Sequence, residues 1–307
     1  MYSETQKAVL RTISFFDIFK YPLTAAECWR LLYFPANNNQ GCALSVIEKD
    51  LENLNQAGVL KKINNFWQLK SSPDYYFTRQ ERYLISEKKI KKIKYWKHIF
   101  TWIPSVRFVA IVNSVGYRNA EVGDDIDLFI ITKSGQLWLT RGWLTGLAKL
   151  LGVRPTLTHQ QDGLCLSFYL GDDHLQFDDL LITSPDVYFH FWFTQMTVLF
   201  DDGVGEKLIN KNDEWGKYFP NLDLQFIATT RFNIFDRIIR SLGYLLTLSI
   251  WEKFWRMAQI AFLPKRFKVS SHDKGVIINN QVLKFHDHDT RESYKKTWLL
   301  KIKDLGI

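Results

Sequence analysis

The most informative stretch of this 307-residue sequence is residues 112–131, VNSVGYRNAEVGDDIDLFII. A polar segment here lies between two apolar runs, residues 108–112 and 126–131, which are rich in β-branched side chains. Near-continuous apolar runs of this length are typical of strands that are covered on both faces. The middle of the chain is therefore predicted to form a sheet buried between layers of helices.

Two acidic residues, Asp125 and Asp127, stand at the start of the second run. Residues two apart on a strand point to the same side, with Cα atoms on the order of 6.5 Å apart. Two like charges in an apolar strand are costly unless a cation lies between them. Carboxylate oxygens suit Mg²⁺ or Mn²⁺, so the pair predicts a site for one of these ions. The alternative is a solvated turn followed by a strand, which would need no cation.

This stretch resembles the signature of the DNA-polymerase-β-like nucleotidyltransferase superfamily, in which a Gly-Ser turn precedes an Asp-hydrophobic-Asp strand. By this resemblance Ser114 matches the serine that contacts phosphate, and Asp125 and Asp127 match the metal-binding aspartates. Asn113 stands where the family has the glycine that lets the backbone approach the triphosphate. The resemblance covers residues 105–185 and implies an α+β fold with a nucleotidyltransferase-type mixed sheet flanked by helices.

The resemblance also implies a third carboxylate from a following strand, which completes the metal site or acts as a base. The strand expected at residues 164–170 contains no acid. Asp162 is the leading candidate, and Asp178 and Asp179 are the others. The expected catalytic and metal-binding residues are Asp125, Asp127 and Asp162, and the expected nucleotide-binding residues are Asn113 and Ser114.

Residues 1–72 are predicted to form a winged-helix-like domain of three helices and a hairpin. The helix starts are marked by capping-box spacing at Ser3/Gln6, Thr24/Glu27 and Ser45/Glu48. Asn64-Asn65 is a two-residue hairpin signal. The third helix is mostly acidic, which favours a docking module over DNA recognition, whereas Lys61 and Lys62 in the wing favour DNA.

Residues 73–104 are predicted to be a basic linker helix, running from Thr78 to about Phe100. Glu81 and Glu87 are outnumbered there by Arg79, Arg82, Lys88, Lys89, Lys91, Lys92, Lys94 and Lys97. The segment is either a solvated connecting helix or a surface that holds nucleic acid or the phosphates of a nucleotide.

Residues 186–307 are predicted to be a helical C-terminal region. Residues 241–251 are the most apolar part and are too short to cross a bilayer, so no membrane span is expected; they favour a buried or interfacial helix over contact with a membrane. The motif His286-Asp-His-Asp289 has metal ligands, but its place before the last helix favours a capping role for Asp289 or Thr290. Three scattered cysteines and an N-terminus unlike a signal peptide predict a cytoplasmic protein.

These features favour an enzyme that uses Mg²⁺ or Mn²⁺ to transfer a nucleoside monophosphate from a nucleoside triphosphate to an acceptor hydroxyl. A second hypothesis is a catalytically degenerate regulator that senses nucleotide or binds DNA through the winged helix. A third is an interaction protein whose helical C-terminal half docks a partner. The net charge of +8 is compatible with an anionic ligand in each case.

Overall fold

The structure is a computed structural model that describes residues 2–34, 41–93, 96–155, 161–182, 184–228, 233–264, 267, 274–286 and 289–307. Its first part contains helices α1 (Glu4–Ile18), α2 (Ala25–Arg30) and α3 (Leu44–Gln56), then strands β1 (Leu60–Ile63) and β2 (Phe66–Leu69). Ser3 and Thr24 form the predicted capping boxes. The prediction for Ser45 was wrong, because α3 begins at Leu44 and its N-cap is Ala43, two residues before Ser45.

The basic linker is divided into α4 (Tyr76–Ile93) and α5 (Lys97–Trp102), and residues 94–95 lie outside the described part. Several cationic side chains of α4 point toward the N-terminal helices. Arg79 pairs with Glu27 at 2.8 Å, and Arg82 donates to the carbonyl of Phe19 at 3.0 Å. Lys88, Lys91 and Lys92 are exposed. One side of α4 therefore holds the N-terminal helices in place, while the other remains open to solvent.

The central sheet is mixed, and among the described residues it has six strands. They are β3 (Val106–Ile111), β4 (Ile126–Thr132), β5 (Leu164–Gly171), β6 (Thr197–Asp201), β7 (Val276–Ile278) and β8 (Val282–Phe285). The strand order is β6-β3-β4-β5-β8-β7. Strands β4 and β5 are parallel, and the other neighbours are antiparallel.

Helices cover this sheet, which confirms an α+β fold with a mixed sheet flanked by helices. Side chains alternate along β3 and β4: Val109 and Ile130 belong to one buried cluster, and Phe108 and Phe129 to another. Both faces are therefore buried, as predicted. The remaining helices are α6 (Asn113–Gly116), α7 (Leu137–Leu150), α8 (Val187–Thr194), α9 (Gly205–Lys211), α10 (Ile234–Gly243), α11 (Ile250–Ala261) and α12 (Arg291–Asp304).

Within the described part of the chain, every helix is too short or too polar to cross a membrane.

Three strands of the sheet come from the region predicted to be helical. Strands β6, β7 and β8 have 5, 3 and 4 residues. Segments this short gain their strand conformation from pairing with neighbours, so their own sequence shows little periodicity. The expectation of a helical region beyond residue 185 is corrected accordingly, since the sheet extends on both sides of that boundary.

The N-terminal helices share a core with the end of the chain. Trp298 of α12 is buried in the same apolar cluster as the side chains of α1, α2 and α3, and its indole nitrogen donates to the carbonyl of Arg11 at 2.9 Å. Lys301 pairs with Asp17 of α1 at 2.7 Å. The segment predicted as a separate domain of residues 1–72 therefore packs directly against α12.

His190 of α8 gives this core a pH dependence. Its ring is buried, stacks on Tyr218 with centroids 4.4 Å apart, and places Nδ1 3.2 Å from the hydroxyl of Tyr33. Burial lowers the pKa of His190 from 6.5 to about 3. Below about pH 6.5 the His190 ring is therefore protonated in the unfolded chain but stays neutral in the folded chain. The free energy of unfolding consequently decreases as the pH falls.

From His190 alone, we expect the free energy of unfolding to be about 2 kcal/mol lower at pH 5 than at pH 7. The measurement is urea unfolding across that range, and His190→Gln should remove this contribution. His174→Gln is the control, because His174 is more exposed and pairs with Asp179 instead. An unchanged pH dependence in His190→Gln would contradict the assignment.

Candidate metal centre

Asp125, Asp127 and Cys165 offer side-chain ligand atoms that all lie within 4.8 Å of one another. Asp125 immediately precedes β4, Asp127 is its second residue, and Cys165 is paired with Asp127 across the parallel β4–β5 contact. All three are half-buried. The structure therefore brings the two predicted aspartates together, and the third group beside them is a thiol.

The surroundings of these residues disfavour negative charge. Burial raises the pKa of Asp125. Burial together with the Asp125 carboxylate raises the pKa of Asp127 to about 6. Burial and the two carboxylates raise the pKa of the Cys165 thiol well above its usual value, so the thiol stays protonated near neutral pH. A cation at this point would offset the cost of ionising the pair.

Asn113, the residue at the predicted glycine position, holds Asp127 in place. It has a φ of 55°, which is the left-handed conformation that asparagine tolerates better than most residues. Its amide nitrogen donates to Asp127 Oδ2 at 2.8 Å, and its amide oxygen lies 3.4 Å from the hydroxyl of Tyr188. Asparagine thus takes the backbone conformation that the turn requires and also orients a carboxylate.

Ser114 makes a different contact from the one expected. Its hydroxyl donates to Asp124 Oδ2 at 2.7 Å, and the same carboxylate oxygen accepts from the backbone N–H of Glu121 at 3.0 Å. This arrangement fixes the turn that leads into Asp125. Binding of phosphate by the Ser114 hydroxyl would require it to leave Asp124.

Asp162, the expected third carboxylate, is bound by the basic helix instead. Lys89 Nζ lies 2.7 Å and Lys92 Nζ 3.3 Å from its carboxylate oxygens. Burial alone would raise its pKa, but hydrogen bonds from the two lysines hold the pKa of Asp162 below its usual value. Lys89 is itself buried and also donates to the carbonyls of Val122 and Asp124. Asp162 therefore anchors the loop before β4 and lies outside the group formed by Asp125, Asp127 and Cys165.

The other two candidates for the third carboxylate lie elsewhere. Asp179 pairs with His174 at 3.2 Å, and Asp178 accepts a hydrogen bond from Gln176. Both aspartates line a separate cavity with Lys211. The structure thus does not bring either of them to the centre.

A cavity of about 200 Å³ adjoins Asp127. Its polar lining includes Asn113, Asp127, Ser167, Tyr188, Lys284, His286, Asp289 and Arg291. Ser167 Oγ lies 3.1 Å from His286 Nε2, and Cys165 Sγ lies 3.4 Å from Ser167 Oγ. Sequence reasoning missed Cys165, Ser167 and His286 as members of the site. For Cys165 and Ser167 the signal was their spacing of two on the otherwise apolar strand β5, which lies beside the strand of Asp127.

Buried charges form the far wall of this cavity. Arg291 binds Asp186 at 2.9 Å and Asp289 at 2.7 Å, and Lys284 Nζ lies 3.3 Å from Asp289. Burial lowers the pKa of Lys284 to about 8. Asp289 also accepts from the backbone N–H of Arg291 at 3.1 Å, which agrees with the predicted capping role. Residues 287–288 of the His-Asp-His-Asp motif lie outside the described residues.

Comparisons with protein-family models, curated proteins and solved structures found no match to this chain. The function therefore has to be inferred from the centre itself. Paired carboxylates, an amide that orients one of them and an adjacent cavity with cations in its wall can together hold a metal ion and an anionic ligand.

Proposed function

We propose that this protein is a metal-dependent nucleotidyltransferase that moves a nucleoside monophosphate from a nucleoside triphosphate to an acceptor hydroxyl. The observation that supports it best is the convergence of Asp125 and Asp127, with ligand atoms within 4.8 Å, next to a cavity. The resemblance of residues 112–131 to the superfamily signature adds the reaction class to this geometry.

The residues present fit a divalent cation. Asp125 and Asp127 provide the oxygen ligands that Mg²⁺ and Mn²⁺ prefer, and burial raises the pKa of both carboxyl groups, a cost of ionisation that a bound cation would offset. When bound, such an ion supplies a lower pKa for the attacking hydroxyl and charge compensation for the phosphates. Asn113 orients the Asp127 carboxylate, and the protonated Cys165 leaves the two carboxylates as the anionic ligands.

The cavity beside Asp127 sets where the substrate would bind. Its volume of about 200 Å³ is at the small end for ligand sites, which are commonly larger than about 300 Å³. It therefore suits phosphate groups, with the sugar and base outside. Lys284 and Arg291 line one wall, where Asp186 and Asp289 balance their charge, so an anionic ligand would have to compete with these carboxylates; Ser167 and Tyr188 would provide hydroxyl donors.

A nucleotide-sensing regulator without transferase activity is the second candidate. The observation that favours it is Cys165, since a neutral thiol lies where a third ionised acid would serve as base or ligand. Such a protein would bind the triphosphate and the metal but would not release pyrophosphate.

The N-terminal helices and hairpin fit a winged helix that docks a protein partner better than one that binds DNA. Helix α3 exposes Glu48 and Glu52. In the hairpin, Lys61 donates to the carbonyl of Ser72, and Lys62 lies 5.1 Å from the ring centroid of Trp67. Lys61 is thus already bound within the protein, which leaves the exposed Lys62 as the hairpin lysine open to phosphates, and acidic side chains on α3 would repel the DNA backbone.

The test is a thermal-shift screen of the four ribonucleoside triphosphates, each with Mg²⁺, with Mn²⁺ and with a chelator. A ligand that binds the folded state alone at a hundred times its Kd stabilises it by about 2.7 kcal/mol. We expect a metal-dependent rise in Tm for at least one nucleotide, and none in Asp125→Asn. Release of pyrophosphate then separates the enzyme from the sensor. An equal rise in wild type and variant would contradict the role of Asp125.

A further inference from the structure

Helices α10 and α11 and the turn between them expose an unusual amount of apolar surface. Phe262, for example, is 89% exposed and Ile250 is 78% exposed. Isolated exposed apolar residues are normal on proteins, but a contiguous set marks a binding surface. We call this set the α10–α11 surface; its members are Ile234, Phe235, Ile238, Leu242, Tyr244, Leu245, Leu248, Ile250, Trp251, Phe254, Met257 and Phe262.

Helix α11 turns its polar side inward. Glu252 accepts hydrogen bonds from the backbone N–H groups of Trp138 at 2.9 Å and Leu139 at 2.8 Å, at the start of α7. Gln259 donates to the carbonyl of Trp138 at 2.6 Å. The opposite side of the helix, with Phe254 and Met257, is exposed. This orientation is the reverse of an ordinary surface helix, which buries its apolar side.

Helix α10 has the same reversed orientation. Asp236 is 1% exposed, and its carboxylate accepts hydrogen bonds from the indole of Trp102 and from the backbone N–H of Asn233 at the start of the helix. Arg240 is also buried and donates to four backbone carbonyls between residues 101 and 106. Ile238 and Leu242 face outward. Both helices are thus attached by polar groups, joined in α11 by Trp255, which packs against Trp143 of α7, and both present apolar side chains outside.

The charges that remain on the outside are all positive. Residues 233–264 contain two acids, Asp236 and Glu252, and both are held by the inward contacts just described. Arg237, Lys253 and Arg256 are exposed on these helices, and Arg256 also donates to the side-chain oxygen of Asn280 at 2.9 Å. Apolar residues with a basic rim are the composition that binds the interface of an anionic bilayer.

We propose that the α10–α11 surface binds the surface of an anionic lipid bilayer, with its apolar side chains entering the headgroup region and its cations facing the lipid charges. Trp251 and Tyr244, which are exposed on it, belong to the residue types enriched at membrane interfaces. The attachment is peripheral, because neither helix is long enough to span. This inference goes beyond nucleotidyl transfer and does not depend on it.

The test is cosedimentation of the full-length protein with vesicles of phosphatidylcholine alone and of phosphatidylcholine with about 30% phosphatidylserine. We expect at least about tenfold tighter binding to the vesicles with phosphatidylserine, weakened by added salt. Phe254→Ser combined with Met257→Ser should lower that binding about tenfold or more, as should Lys253→Glu combined with Arg256→Glu.

The matched control is Leu299→Ser combined with Leu300→Ser, which removes two exposed apolar side chains from α12 and should leave binding unchanged. Equal melting temperatures of all variants confirm that each is folded. Failure to sediment with either vesicle, or equal binding to both, would overturn the proposal. Self-association through this surface without vesicle binding would overturn it as well, in favour of a second copy of the chain as the occupant.

Discussion

Replacing Asp127 by asparagine is expected to lower metal-dependent nucleotide transfer at least about a thousandfold, which corresponds to about 4 kcal/mol of transition-state stabilisation. Asparagine keeps the size of the side chain and can still accept the hydrogen bond from Asn113, but it removes one of the two negative ligands. The measurement is pyrophosphate release from each ribonucleoside triphosphate, with RNA, a protein extract and small polyols offered as acceptors.

Two further variants are expected to lower the rate of nucleotide transfer by smaller factors. Asn113→Gly should lower the rate by about 10- to 100-fold, because it removes a group that orients a metal ligand while glycine tolerates the φ of 55° at this position. Asp162→Asn should have a smaller effect than either, since Asp162 is bound to Lys89 and Lys92 and lies outside the carboxylate pair. Equal rates in wild type and Asp127→Asn would remove Asp127 from the mechanism. A loss in Asp162→Asn as large as that in Asp127→Asn would return it to the catalytic group.

Trp298→Ala is expected to destabilise the whole protein by about 3–5 kcal/mol, the usual cost of removing a large buried aromatic side chain. Trp298 is 3% exposed, and its indole nitrogen satisfies the carbonyl of Arg11 in α1. The loss therefore affects the N-terminal helices although the substitution lies in the last helix. The measurement is urea unfolding followed by circular dichroism and by protease sensitivity of residues 1–72.

Leu300→Ala provides the matched control, because Leu300 lies on the same helix and is 62% exposed. Leu300→Ala should change the free energy of unfolding by no more than about 0.5 kcal/mol. If residues 1–72 kept their full stability in Trp298→Ala while the rest unfolded, they would form an independent domain, and the shared core would have no energetic role.

The near-continuous apolar runs predicted the buried strands correctly. Residues 108–112 and 126–131 have too few polar groups to face water on either side, so β3 and β4 had to lie inside the sheet. Capping at Ser3 and Thr24 was also visible, because a capping box needs only two side chains three residues apart. Signals of this kind depend on residues that are close together along the chain, so they can be recognised from the amino-acid sequence alone.

The partners of the candidate site could not be read in this way. Asp162 stands just before β5, as the sequence shows, but its carboxylate is bound by Lys89, which lies in a helix 73 residues away along the chain. Cys165 is adjacent to Asp127 because β4 and β5 are parallel and in a particular register, which the sequence does not specify. The three short strands after residue 185 likewise depend on the neighbours they pair with.

The most direct measurement of the central claim is a Mn²⁺ titration followed by electron paramagnetic resonance, with wild type and the Asp125→Asn/Asp127→Asn double variant. If the two carboxylates hold the metal, wild type should bind Mn²⁺ at a site that nucleoside triphosphate tightens, and the double variant should bind it at least about tenfold more weakly. Equal Mn²⁺ affinity in the two proteins would contradict a metal centre at Asp125 and Asp127.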